Sequence, residues 1–477
     1  MRVGGSVLWP AVGWGVRVIA ASAAVLALAP AGSSADTLPG ALTLAYQNNP
    51  QLNAQRAAVR VSDENVPQAL SGYRPRVSLS ANIAEQYLDN LSKTSTTGPA
   101  TYTHAFGTTA VQTYGGTVTQ TLLNGHQTAS KTRQAEHLVS AARETLRLTE
   151  QTVLLSAATA YMNLIRDAAI LELQRSNVEV LQEQLRQTRD RFNAGEVTRT
   201  DVAQAESRLA AGRSTMLGAE SNYTTSRSTY RQVIGVEPGK LAPATPVDRL
   251  SPSSLPQAVA AARAGHPSVT TAMFNVDAAV LQVKIAEGAL YPSLNLVGSA
   301  QKTYGSTSAL SLLESFNASV GGQLSVPVYQ GGSEYAVIRQ AKETLSQRRI
   351  DLDTARDQVR QTVVQSWGQL EAAKANIDAT QANVQASEIA LNGVREEARV
   401  GQRTTLDVLN AQQELVNARV SLVTAQRDRV VASYTLLAAV GRLSPQMLGL
   451  RVPVYDSNVH YQQVRDTWAG VRTPDGR

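Results

Sequence analysis

The sequence predicts a mixed α and β membrane protein in which long α-helical coiled-coil hairpins are joined to alternating β-strands. Three observations carry this expectation. The chain is internally duplicated: Gly195, Thr198, Asp201 and Ala205 are matched at one constant offset by Gly401, Thr404, Asp407 and Ala411. Long proline-free stretches keep an apolar residue at every seventh position, as coiled-coil packing requires. Between them, apolar and polar residues alternate, which gives a strand one lipid-facing side.

The chain begins with Arg2 and Arg17, the apolar run Val18 to Leu28, and then Ser33-Ser34-Ala35. A basic start, a short apolar run and small residues at the end make 1–35 a signal peptide for export. A first repeat follows over 36–235. The stretch 236–256 is a linker rich in proline (Pro238, Pro243, Pro246, Pro252, Pro256). A second repeat covers 257–443, and 444–477 is a polar C-terminal extension, partly disordered, that frays after Trp468.

Each repeat has the same plan. A helical segment comes first, Pro50 to Ser71 and Pro267 to Leu290, and Pro75 or Pro292 ends it. In the first repeat Val77, Leu79, Ala81 and Ile83 alternate with Ser78, Ser80 and Asn82. In the second, Leu294, Leu296, Gly298 and Ala300 do the same, and Phe316 to Val326 gives the clearest returning strand. The first repeat carries a short insertion within Asp89 to Phe106, rich in Ser, Thr, Gly and Asn, which reads as an exposed loop. Two long helices complete each repeat. Leu164, Leu171, Val178, Leu185 and Phe192 mark the heptads of the first ascent, and Leu370, Ile377, Val384, Leu391 and Ala398 those of the second.

Composition narrows the function. The chain has 477 residues, 17% charged and 5% aromatic, with a formal net charge of +6. The scattered arginines read as solvated helix faces, not as a nucleic-acid surface. The absence of cysteine excludes disulfides, thiol catalysis and a lipidated N-terminal cysteine. The mature chain has no apolar run of about 18 residues, so a membrane-spanning helix is not expected. His126 and His137 could share a helix face, but without Cys or nearby acids they read as surface polar residues. No catalytic set, phosphate loop, cofactor site or metal site is visible.

The turns between the long helices are the informative sites. Gly195 and Gly401 suit the left-handed residue that ends a helix. Thr198 and Thr404 can cap the next helix, with Asp201 and Asp407 as the capping-box acids. Val197 and Val202 can form a hydrophobic staple in the first turn; Arg403 replaces the valine in the second, which frees a cation to reach a neighbour.

Four strands are too few for a closed barrel, which needs about eight. Open sheet edges cannot face lipid, so the strands demand an oligomer.

The segments VGQRTTLDVLNAQQEL (Val400 to Leu415) and NAGEVTRTDVAQAES (Asn193 to Ser207) resemble the two tip motifs of the TolC family of outer-membrane channels. The similarity runs from Leu42 to Leu443. The resemblance implies a homotrimer with a 12-stranded outer-membrane barrel and a periplasmic helical tunnel. It implies partners as well: a periplasmic adaptor protein and an inner-membrane pump of the ABC or RND type. At the tip it implies that Arg403 joins a closing network with Thr200 and Asp201, and that Asp407 lines the narrowest ring. The sequence departs from the best-known pattern at Asn410, where a second tunnel-lining acid is expected, and at Ala398, where an aromatic latch residue is expected. The missing anchor cysteine fits the secretion branch. The competing reading is a coiled-coil adaptor or structural protein without a pore, which would have no need for lipid-facing alternation.

Overall fold

The computed structural model describes residues 36–94, 98–305, 314–474 and 476; the expected signal peptide lies outside them. The first repeat runs α1 (Leu38–Asn48), α2 (Pro50–Asp63), α3 (Asn65–Leu70), β1 (Arg76–Thr94), β2 (Thr101–Asn124), α4 (Gln127–Asn193) and α5 (Arg199–Ile234). The second runs α6 (Leu255–Gly265), α7 (Pro267–Gly288), β3 (Ser293–Tyr304), β4 (Glu314–Ser325), α8 (Ser333–Arg399) and α9 (Thr405–Ala439). The two copies of the pre-proline pair mark equivalent helix starts. Asn49 Oδ1 accepts from the Gln51 amide at 2.9 Å, and His266 Nδ1 accepts from the Ser268 amide at 3.2 Å. In both, proline takes the first helical position, where an N–H would have no partner.

The strands form one antiparallel sheet in the order β1-β2-β3-β4. Its register sorts the side chains. Val77 pairs with Val118, Val118 with Gly298, and Gly298 with Val320, so these residues share one face. Leu79 and Val320 are 86% and 81% exposed there, as lipid-facing side chains must be in a single chain. The opposite face carries Ser78, Thr117, Ser299 and Ser319, with Ser299 and Ser319 hydroxyls 2.9 Å apart. Among the described residues, no strand lies beside the outer edges of β1 and β4.

The expected loop over Asp89 to Phe106 is corrected here. Asp89 pairs with Phe106 and Thr94 with Thr101, so the insertion lengthens β1 and β2 to 19 and 24 residues against 12 each for β3 and β4. Its many threonines are β-branched and sit well on a pleated strand, which polarity alone does not reveal. Residues 95–97 of it lie outside the described segments.

The α4 and α8 helices each contain 67 residues, a length of roughly 100 Å. α4 packs on α5, α8 packs on α9, and α4 and α9 join the two hairpins. Heptad residues Leu164, Leu171, Val178 and Leu185 are buried, as are Leu370 and Leu391; Phe192, at the far end, is exposed. Of the four long helices, α5 packs on α4, α4 on α9 and α9 on α8, which leaves α5 and α8 as the outer two, although α5 also touches α9 and α7 packs on both α4 and α8. A second core lies where α1, α2, α4, α5 and α9 meet, around Tyr46, Tyr161 and Tyr230. There the Tyr161 hydroxyl lies 2.7 Å from the carbonyl oxygens of Asp36 and Ala242, tying the segment before α1 to the proline-rich linker.

The polar extension contains one helix that its sequence pattern conceals, α10 (Ser457–Val464). It docks on α2 through His460, whose Nδ1 lies 3.0 Å from Oδ2 of the fully buried Asp63. Burial holds the Asp63 carboxyl above its ordinary pKa, against the opposing pull of His460 and Arg143.

Candidate functional site

Two tips close the hairpins, and both are built by the same backbone hydrogen bonds. At the first, the Gly195 amide donates to Phe192 O and the Glu196 amide to Arg191 O, each at 2.9 Å. At the second, the Gly401 amide donates to Ala398 O at 3.2 Å and the Gln402 amide to Glu397 O at 2.9 Å. This is the Schellman arrangement, which needs a left-handed residue past the helix end. Gly195 and Gly401 supply it, at φ +81° and +80°.

The outgoing helices are capped reciprocally. The Asp201 amide donates to Thr198 Oγ1 at 3.3 Å while the Thr198 amide donates to Asp201 Oδ2 at 2.9 Å. Thr404 and Asp407 repeat this at 3.2 and 3.0 Å. The hydroxyls of Thr198 and Thr404 also donate to those carboxylates, at 2.7 and 2.8 Å. The bonds from Thr198 hold the Asp201 pKa below its ordinary value, the hydroxyl contributing most. Asp407 is lowered in the same way, chiefly by the Thr404 amide. Both carboxylates therefore stay charged at neutral pH.

Arg403 does not reach Asp201 or Thr200 within the chain. Its Nε lies 2.8 Å from Glu397 Oε2, inside its own turn, and this pairing raises the pKa of its guanidinium. Arg403 and Asp201 nevertheless line one groove of about 520 Å³ between the two tips, together with Arg191, Glu196 and Arg395. Asp407, Asn410 and Thr200 lie outside that lining.

Two residues that sequence reasoning missed hold the hairpins together. Arg208 Nη2 donates to Asn410 Oδ1 at 2.6 Å, from α5 to α9. Leu409 is 2% exposed and packs with Val178, Leu181, Leu185, Ala205 and Leu209 of the first hairpin. A signal existed for one of them: Arg208 follows Asp201 by one heptad, so it shares the face of the cap.

Two coiled-coil hairpins rise from a sheet with one lipid-facing and one polar side. That combination defines a class, the outer-membrane channel whose conduit is continued by helices into the periplasm. Residues 41–236 and 258–442 match the outer membrane efflux protein family, and the chain belongs to it. It is 43% identical over 442 residues to outer membrane efflux protein BepC of Brucella suis, covering 93% of each chain. It is 29% identical over 313 residues to outer membrane protein TolC of Escherichia coli, covering 63% of each. Its fold is similar to that of the outer membrane protein VceC of Vibrio cholerae, with a TM-score of 0.68 at 21% identity, over 85% of this chain and 96% of that one. The protein is an outer-membrane exit duct for efflux or secretion and extends into the periplasm. Its family is one of channels.

Proposed function

We propose that the duct is a homotrimer, with a 12-stranded barrel completed by pairing β4 of one subunit with β1 of the next. The observation that carries this is the pair of free sheet edges beneath one lipid-facing surface. Unpaired backbone groups at such edges cannot lie in hydrocarbon. The outer helices α5 and α8 support the same ring, because α8 exposes Ile350 and Ile389 and α5 exposes Leu217. In this reading cargo is passed on by a periplasmic adaptor docked at the tips and an inner-membrane pump, and the duct itself conducts passively. Migration of the outer-membrane protein as an SDS-stable, heat-dissociable trimer tests it; a monomer in unheated samples counts against it.

The tips form the gate in this proposal. Arg403 meets Asp201 and Thr200 of an adjacent subunit, and three Asp407 carboxylates approach the axis, with Asn410 in place of a second acid ring. Glu397 then holds Arg403 in reserve inside its own turn. Arg403→Ser raises single-channel conductance without changing trimer yield, and Asp407→Ala weakens block by multivalent cations from the periplasmic side. Unchanged conductance and unchanged block together reduce these residues to a turn arginine and a helix cap.

A further inference from the structure

The polar face of the sheet is almost uncharged. Along β1 it carries Arg76, Ser78, Ser80, Asn82, Ala84 and Gln86, and the register places Thr, Gly, Val, Ser, Asn and Gln beside them on β2, β3 and β4. Among the described residues of the four strands, Arg76 is the one charged side chain on that face. It stands at the end nearest the helices, paired with Thr119. The charged residues of the other face, such as Glu85, Asp89, Lys93 and Lys302, lie toward the opposite end.

Arg76 opens onto a cleft of about 280 Å³ where the sheet meets the start of α4. Arg74 and Lys131 line it as well, with Thr119, Thr121 and Thr128, and the lining contains no acidic side chain. The walls are fixed by their own hydrogen bonds. Gln120 Nε2 donates to Tyr73 O at 2.7 Å, and Asn124 Nδ2 to Thr128 Oγ1 at 2.5 Å. Arg74 is held by Thr467 O at 2.6 Å and by stacking on the Trp468 ring 4.9 Å away. Both partners are neutral, so its charge is positioned without being cancelled. The C-terminal segment thus has a task here, since α10 brings Thr467 and Trp468 to Arg74.

We infer that Arg74, Arg76 and Lys131 form an anion-binding subsite for phosphate- or carboxylate-bearing molecules at the junction of barrel and tunnel. The inference rests on the trimeric reading, in which the polar face lines the conduit. Guanidinium groups match the geometry of phosphate oxygens, and threonine hydroxyls add donors. Three copies around an otherwise uncharged wall focus a positive potential at one level of the pathway. An anionic cargo leaving the tip therefore meets attraction at the foot of the barrel.

Inorganic pyrophosphate added to the extracellular side of channels in planar bilayers tests this, because the barrel gives access to the cleft whatever the state of the tips. The wild type is expected to show concentration-dependent block. In Arg76→Gln with Lys131→Gln, block weakens by about tenfold or more. Arg76→Lys, which keeps the charge, retains most of it. Equal block in wild type and double variant, or no block of conducting wild-type channels, overturns the subsite. Absence of any conductance overturns instead the trimeric reading beneath it.

Discussion

Arg208 and Asn410 join the two hairpins of one chain by a hydrogen bond of 2.6 Å, from α5 to α9. One residue before Asn410, Leu409 is buried against the first hairpin. Polar and apolar contacts thus act at the same level, just beyond the tips. Together they set how closely the second hairpin lies against the first.

Loosening that level should loosen the tip. Leu409→Ala removes a buried side chain at a cost of about 2–5 kcal/mol to the hairpin contact. Combined with Arg208→Ala it should raise single-channel conductance while the trimer still assembles, since neither residue touches the sheet. Conductance at the wild-type level in a correctly assembled double variant would separate this contact from gating.

The tip caps carry a pH dependence whose sign is fixed. The folded pKa values of Asp201 and Asp407 are lowered by their Thr partners. Their contribution is therefore present above the ordinary value of 3.8 and is lost as pH falls through the lowered folded value. Hydrogen-exchange protection at the first turns of α5 and α9, taken relative to a free amide at the same pH, should be constant around neutral pH and fall only under strong acid. Thr198→Ala and Thr404→Ala, each costing about 0.5–2 kcal/mol of helix stability, should quicken exchange there at every pH. Exchange at those amides that ignores both acid and the substitutions would contradict the capping account.

The glycines at the tips are constrained by backbone alone, because no other atom lies within 4 Å of a Cβ built on Gly195 or Gly401. Gly→Val at either should cost about 1–2 kcal/mol through left-handed strain. Barrel assembly should survive while adaptor capture by the purified trimer falls. Full capture by both variants would remove the tips from docking.

Charge placed on the two faces of the sheet should have unequal effects. Leu296→Lys or Val320→Lys puts a cation on the lipid side near the helix end of the sheet, where the cost lies below the about 2–4 kcal/mol of mid-bilayer. Asn295→Lys or Ser319→Lys faces the polar side and should be mild. The yield of folded protein in outer-membrane fractions measures the difference, and equal losses would invert or erase the face assignment.

Much of this molecule was legible because its constraints are local or periodic. Gly401, Thr404 and Asp407 define a helix end and a helix start within seven residues, and the structure reproduces each bond they imply. Leu164 to Leu185 follow a period that only a coiled coil uses, and Val77 to Ile83 one that only a strand uses. The failures fall where the deciding partner is distant or where polarity misleads. Thr94 and Thr101 looked like loop residues because their strand partners, not their polarity, determine their state. The helix α10 has little apolar period because its docking depends on the buried pair His460 and Asp63, hundreds of positions apart. The Glu397 partner of Arg403 lies six residues away in its own turn, a pairing that the cap pattern does not specify. Arg208 with Asn410 could not be paired from sequence, since nothing local relates α5 to α9.

The central claim is that this chain encloses a conducting pathway by assembling around its free sheet edges. Single-channel recording of the purified native oligomer in planar lipid bilayers tests it most directly. Discrete, uniform conductance steps from SDS-stable trimers are the expected result, with larger steps when Arg403→Ser or Arg208→Ala with Leu409→Ala is introduced. A folded, membrane-inserted protein that yields no conductance steps, in the wild type and in these variants alike, would contradict it.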